Sequence, residues 1–280
     1  MADERGGEGK GMKLAVTAAP DAGPMAPILL RGEFAGIVSE AAGIGYDAIE
    51  IHVPDIWEFD ADNLFHLCKA AGIAVSALVS GQLFVRKGLS LSDDDPAIAA
   101  KAAEGLELFV DAAAKLECGV IVGWVRGRIG SRDREAIMAK QAAALREIDA
   151  RGRERNVPIY LEAINRYEAD SLTTAGETVD FIRKNGFAST YVHLDTFHMN
   201  IEEFSPAKAI RQCGPLLAYM HVAENTRYYP GHDRLDFGEV FAALREIGYN
   251  GFVSVECLPL PGGSEAARRA REFLTCRHVC

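Results

Sequence analysis

At 280 residues, with 49% hydrophobic and 25% charged side chains, the chain is long enough to bury a large core as one α/β domain. A formal net charge of −10 excludes an extended nucleic-acid surface, which needs a basic stripe to displace counterions from phosphates, and it suits a small polar substrate. No apolar run reaches the length of a membrane span, and the N-terminal MADERGGEGKG lacks the apolar region of a secretory signal.

Residues 1–11 read as a disordered leader and 12–280 as one folded unit, with no composition break to mark a domain boundary. The six cysteines (Cys68, Cys118, Cys213, Cys257, Cys276 and Cys280) show no CxxC spacing, and several lie in apolar segments. They read as reduced thiols in a cytoplasmic protein.

In chain order, Met12–Ala18 is a β-rich apolar run followed by the loop AAPDAGPMAP. Residues 27–43 carry helical spacing up to Gly43, and YDAIEIHV (46–53) is a buried strand that ends in Glu50 and His52. The alternation continues with a helix from Asp60 to Ala71, a strand Ile73–Val79, a helix Asp95–Leu116 and a strand Gly119–Val125. Then come a helix Asp133–Asn156, a strand Pro158–Ala163, a helix Thr174–Asn185 and a strand Thr190–Leu194. A helix Ser205–Cys213, a strand Leu217–Val222, a helix Asp236–Ile247, a strand Gly251–Cys257 and a helix Ser264–Thr275 finish the chain.

Strands alternating with helices imply parallel βαβ units, and eight of them point to a closed (β/α)8 TIM barrel before an open doubly wound sheet. The runner-up lacks its fingerprint, since no GxGxxG opens the first helix and no GxxxxGK[ST] occurs.

In such a barrel the reactive face is the ring of strand C-termini. Glu162, Asp195, His221 and Glu256 fall at successive strand ends, separated by 33, 26 and 35 residues (195−162, 221−195, 256−221), close to the ~30 residues of one βαβ unit. Three carboxylates and an imidazole without a thiolate form a hard donor set that suits Mn²⁺, Mg²⁺ or Co²⁺ better than structural Zn²⁺. A single buried carboxylate at a strand end more often pairs with Arg or caps a helix; four at unit spacing are harder to explain that way.

The segments LEAINRYE, HLDTFHMNIEE, MHVAENTRYYPGHDRLDF and VSVE resemble the sugar isomerase/epimerase superfamily of xylose-isomerase-like barrels, and most closely its ketose 3-epimerase branch of tagatose and psicose 3-epimerases. The specific motifs lie in the second half of the chain, whereas the first four strands match in general organisation. The resemblance implies that Glu162, Asp195, His221 and Glu256 bind one divalent metal, with Mn²⁺ first, and that Glu162 and Glu256 are the acid/base pair. It also implies that Glu168, His198 and Arg227 hold the O1 to O3 end of a sugar, and that the protein is a homo-oligomer, dimer or tetramer.

Chemistry supports the same assignment, because inverting a carbon beside a ketone takes a proton from one face and returns one to the other. Glu50 and His52 end strand two and either touch the far end of the sugar or hydrogen-bond from behind the site. Trp124, ending strand four with Arg126, either packs a sugar face or forms part of the wall. Gly262, Gly263 and Ser264 offer either a phosphate-binding helix start or a turn with a Ser cap. Rival reactions on the same barrel are sugar-phosphate 3-epimerisation, aldose–ketose isomerisation of the hydroxypyruvate isomerase type and inosose dehydration or isomerisation. A non-catalytic sugar-binding barrel would need no pair of bases, and the endonuclease IV relatives need more ligands and a basic face.

Overall fold

The computed structural model describes residues 11–232 and 234–277. The expected leader lies outside the described residues apart from Gly11. Eight parallel strands form the wall: β1 (Lys13–Ala19), β2 (Ala48–His52), β3 (Ala74–Val79), β4 (Gly119–Val122), β5 (Ile159–Glu162), β6 (Thr190–Asp195), β7 (Leu217–Val222) and β8 (Phe252–Val255). Each pairs with the next, and β8 returns to β1 with Val253 opposite Leu14. The sheet therefore closes into the expected (β/α)8 barrel.

Around it run α1 (Phe34–Ile44), α2 (Ala61–Ala71), α3 (Gln82–Lys87), α4 (Pro96–Leu116), α5 (Arg134–Arg155), α6 (Ala175–Asn185), α7 (Thr196–Glu202), α8 (Pro206–Cys213), α9 (Phe237–Glu246) and α10 (Gly263–Arg277). The polar residues expected to begin six of these helices are their caps. The side chains of Asp60, Asp95, Asp133, Thr174, Ser205 and Asp236 each accept a backbone N–H from the first helical turn. Truncating such a cap to Ala costs about 1 kcal/mol.

The outer faces of the strands and the inner faces of the helices share one continuous apolar layer. Inside the barrel, Ala77, Val79, Ile121, Tyr160 and Tyr219 form a separate apolar plug, with the Tyr160 and Tyr219 rings stacked at 4.8 Å. The polar residues Glu50, His193, Asp195 and His221 are buried toward the C-terminal ends of β2, β6 and β7, and most of the apolar plug lies away from the cavity, with Val79 alone of its members in the cavity wall. Interior side chains thus change from apolar to ionisable along the axis, and this gradient builds the site.

Sequence periodicity misplaced one element. The helix expected over 27–43 starts only at Phe34, because Ile28, Leu29 and Leu30 are buried and Leu30–Arg31 pairs as a two-residue strand beside Ala18 and Ala19 of β1. Burial in the sheet edge overrides helical spacing there. Two short helices, α3 and α7, fall where the sequence pattern predicts no element, since neither is long enough to show a hydrophobic period. The expected strand Gly119–Val125 stops at Val122, and a 3₁₀ turn carries Trp124–Arg126. No helix among the described residues is long and apolar enough to cross a membrane.

Candidate active site

Five of the barrel strands deliver a functional residue at or beside their C-terminal ends, so the ring of strand ends fixes what converges. Glu162 is the last residue of β5, Asp195 of β6 and His52 of β2; His221 is the penultimate residue of β7, and Glu256 follows β8 directly. Their donor atoms meet: Glu162, Asp195, His221 and Glu256 each offer an atom within 4.8 Å of the others. His193, two residues before Asp195 on the same inward face, offers an overlapping set with Glu162 and His221.

Local structure orients each group. One Asp195 oxygen caps α7 by accepting the Phe197 N–H at 2.9 Å, and its other oxygen accepts from Arg227. Arg227 spans Asp195 and Glu256 with its two terminal nitrogens and lies over the Phe197 ring at 4.6 Å. Burial works against the charge on Arg227, but Asp195 and Glu256 outweigh it and push its pKa up.

Glu50 is wholly buried and accepts from His221 Nε2 at 2.7 Å and from the Tyr219 hydroxyl at 2.8 Å. Ser76 Oγ lies 2.7 Å from the same hydroxyl. Burial raises the Glu50 carboxyl, yet His221 and His52 outweigh it and hold it well below the usual range. Burial likewise raises Glu256, and His221 and Arg227 bring it down to about 2. For His221 burial favours the neutral ring, but Glu50 and Glu256 push its pKa well above the ordinary value.

His198 is oriented by Asn165. The Asn165 Oδ1 accepts the Tyr167 N–H at 2.9 Å, which fixes the amide so that Nδ2 donates to His198 Nδ1 at 2.7 Å and to Glu168 Oε1 at 2.9 Å. An accepting Nδ1 leaves the ring proton on Nε2, which faces Glu162 Oε1 at 3.6 Å. Burial opposes the charged ring, but Glu162 and Asp195 outweigh it and raise the His198 pKa.

A cavity of about 580 Å³ opens over this cluster. Glu162, Glu168, His52, His198, Arg227 and Glu256 form its polar side; Met25, Ile28, Val79, Val85, Trp124 and Leu258 belong to its apolar wall. Of the residues singled out from sequence, Asp195, His221 and Glu50 lie outside the cavity lining, Glu50 behind His221 and hydrogen-bonded to it, whereas His52 lines the cavity and sits 3.3 Å from Glu50 and 3.5 Å from Glu256. Trp124, 37% exposed, lines the wall. Glu168 is not the partner of Arg166, which pairs with Glu202 at 2.8 Å. Gly263 packs against the loop after β1, where an added Cβ would meet the Leu29 carbonyl oxygen at 2.0 Å, so this glycine has a packing reason of its own.

Sequence reading missed Tyr219, His193 and Ser76. A signal existed for two of them: strand period places Tyr219 with His221, and His193 with Asp195, on one inward face.

The donor set fits a divalent cation on two grounds. Three carboxylates (Glu162, Asp195 and Glu256) are buried or nearly so around one point, with Glu50 buried behind His221, and they need positive charge. In addition, His221 Nδ1, buried 3.1 Å from Glu256 Oε2, is not aligned for a hydrogen bond to any group, while Nε2 is anchored on Glu50. A ring tied at one nitrogen and open at the other is the arrangement of a metal-ligating imidazole.

Known proteins of the same fold are similar to this chain over most of its length. The family model for the xylose isomerase-like TIM barrel matches residues 38–275. L-ribulose 3-epimerase of Methylomonas sp. is 33% identical over 223 residues, covering 78% of this chain and 76% of that protein. D-psicose 3-epimerase of Agrobacterium fabrum is 32% identical over 240 residues, covering 83% and 82%. The crystal structure of D-allulose 3-epimerase from Methylomonas sp. in complex with D-allulose matches with a TM-score of 0.80 at 26% identity, over 96% of this chain and 98% of that one.

Proposed function

The chain belongs to the xylose isomerase-like TIM barrel family and is an isomerase, and from that premise we propose that it inverts C3 of a free ketose by proton abstraction and return. The observation that carries this reading is the convergence of the Glu162 and Glu256 carboxylates, which line a cavity of about 580 Å³, with Asp195 and His221.

Glu162 and Glu256 come from strand ends three places apart around the ring, so a sugar carbon between them meets a carboxylate on each face. One takes the proton from C3, whose electron pair moves into an enediolate; the other returns a proton from the opposite face. Each positioned proton transfer is worth roughly 10²- to 10⁴-fold. Glu168, His198 and Arg227 hold the O1 to O3 end, and the His198 Nε2–H and the Arg227 guanidinium present positive hydrogens toward oxygen that gains charge. His52 and Trp124 meet the remainder of the sugar. Glu162, Asp195, His221 and Glu256 would hold one divalent cation, Mn²⁺ before Mg²⁺ or Co²⁺. When bound, the cation supplies positive charge to the oxygens on C2 and C3.

A neutral ketose is favoured over a phosphate ester by what lines the cavity. Its only Lys or Arg residues among the described ones are Arg227, engaged with Asp195 and Glu256, and Arg86, engaged with Asp21 at 2.9 Å and with Gln82 at 2.9 Å. At the start of α3, the Leu83, Phe84 and Val85 N–H groups already bond to Ser80 and Gly81 carbonyls.

The test is incubation with Mn²⁺ and matched free and phosphorylated ketoses in D₂O. Deuterium is expected at C3 of a free ketose. Exchange at C1 alone would indicate an aldose–ketose isomerase, and no exchange with any sugar would remove the epimerase reading.

A further inference from the structure

Arg126 heads the fully buried side chains by size, at 1% exposure, and the chemistry above leaves it unused. No carboxylate among the described residues lies within ion-pair distance of it. Its partners are main-chain carbonyls: Nη1 donates to Gly123 O at 3.1 Å and Glu162 O at 2.9 Å, and Nη2 to Ser171 O at 2.9 Å and Leu172 O at 3.5 Å. Burial lowers the guanidinium pKa to about 10 against the pull of Glu162, Asp170 and Glu177. A dry cation without a counter-ion costs stability, so its geometry needs a reason.

That geometry closes a loop. The chain leaves β5 at Glu162 and returns at Leu172, and the fork of Arg126 grips both ends; Ile164 N–H adds a bond to Leu172 O at 3.3 Å. Between the ends lie Asn165, which orients His198, and Glu168, which accepts from Asn165 and lines the cavity. Through Gly123 the same fork ties in the end of β4. There the absence of a side chain matters, because a Cβ on Gly123 would stand 2.6 Å from Glu162 Oε2. Gly123 is thus the floor against which the Glu162 carboxylate rests.

We propose that Arg126 is a positioning residue for the epimerase reaction, its planar fork fixing Glu162 against Gly123 and closing the neck of the 163–171 loop. Lysine cannot replace it, since one ammonium group does not span carbonyls on both sides of the neck. The proposal rests on the epimerase reading for its catalytic consequence, but the clamp itself is readable without turnover.

The experiment compares R126M, R126K and R132M in the full-length protein. Arg132 ties the neighbouring loops by bonding Ser92 O, Asp94 and Ile129 O, and it does not touch β5, so R132M controls for loop integrity. Three readings are taken: kcat for C3 deuterium incorporation from the best free ketose, Mn²⁺ affinity by titration, and amide exchange of the peptide spanning 163–172. For R126M and R126K the expected results are a kcat about 10²-fold lower, the cost of roughly 1 Å of misplacement, weaker Mn²⁺ binding and faster exchange in that peptide. R132M is expected to match wild type in all three.

The proposal is overturned if R126M keeps kcat within about twofold, if R132M loses as much, or if R126K restores the enzyme and charge alone suffices. A role in folding alone would lower Tm yet leave kcat per folded molecule and Mn²⁺ affinity unchanged, which also overturns it. Should R126M fail to fold, R126K carries the same comparison. If wild type exchanges no ketose, the epimerase reading falls, while loop opening in R126K still reports whether the clamp exists.

Discussion

Glu50 Oε2 lies 2.7 Å from His221 Nε2, deep in the barrel, and this one hydrogen bond decides which imidazole nitrogen faces the site. With Nε2 committed to a buried carboxylate that also accepts from Tyr219, Nδ1 is the nitrogen left for a metal. Glu50→Gln keeps the volume and removes the charge. It is expected to weaken Mn²⁺ binding roughly 10- to 100-fold while the far-UV circular dichroism stays that of wild type. Unchanged affinity in a Mn²⁺ titration would mean that the Glu50–His221 bond does not tune the ligand.

Glu162→Gln and Glu256→Gln each remove one of the two proposed bases. Each is expected to lower C3 deuterium exchange by at least ~10²-fold, with circular dichroism unaltered. A variant that lacks only one base still has the other, so single-turnover work in D₂O with each of two C3-epimeric ketoses distinguishes which glutamate serves which face. Near-normal exchange in either variant refutes the two-base assignment.

Trp124 stands on the cavity wall and is 37% exposed. Trp124→Ala is expected to raise KM while leaving kcat within about twofold, because packing of a sugar face contributes on the order of 1 kcal/mol equally to bound substrate and transition state. A fall in kcat at constant KM would place Trp124 in the chemistry instead.

Asp170 knits the loops beside the site, accepting the Ile129 and Gly130 N–H groups at 2.8 Å each. Burial raises its carboxyl, but those two donors outweigh it and hold the pKa below the ordinary value. A depressed folded-state pKa gives stability that is complete above the unfolded value of about 3.9 and is lost as pH falls through the folded one. Asp170→Asn is therefore expected to cost about 1–2 kcal/mol at pH 7 and to flatten the acid limb of the stability curve below about pH 4. Urea unfolding of both proteins at pH 7 and at pH 3.5 checks it, and equal losses at the two pH values would count against the charge.

Much of the fold was legible because its signals are local. Eight buried apolar runs, six of them followed by a capping residue such as Asp60, Asp95 or Asp133, fix the alternation of strand and helix before any tertiary contact exists. The four donors Glu162, Asp195, His221 and Glu256 were legible for a related reason, since a residue at a strand end must reach the same rim as its counterparts one unit away.

Contacts between segments far apart in sequence were not legible. Sheet pairing with β1 turned Leu30–Arg31 into a strand, and burial behind His221 removed Glu50 from the cavity wall. Arg166 took Glu202, 36 residues away, as its partner and left Glu168 to Asn165. Arg126 read as a strand-end charge until the closed barrel surrounded it with carbonyls from Gly123, Glu162, Ser171 and Leu172. By itself the sequence determined the barrel and which side chains stand on its rim, because period and capping are properties of short segments. Only the tertiary structure decided which of those side chains line the cavity and which hold the others in place, because burial and hydrogen-bond pairing depend on where distant strands bring their ends together.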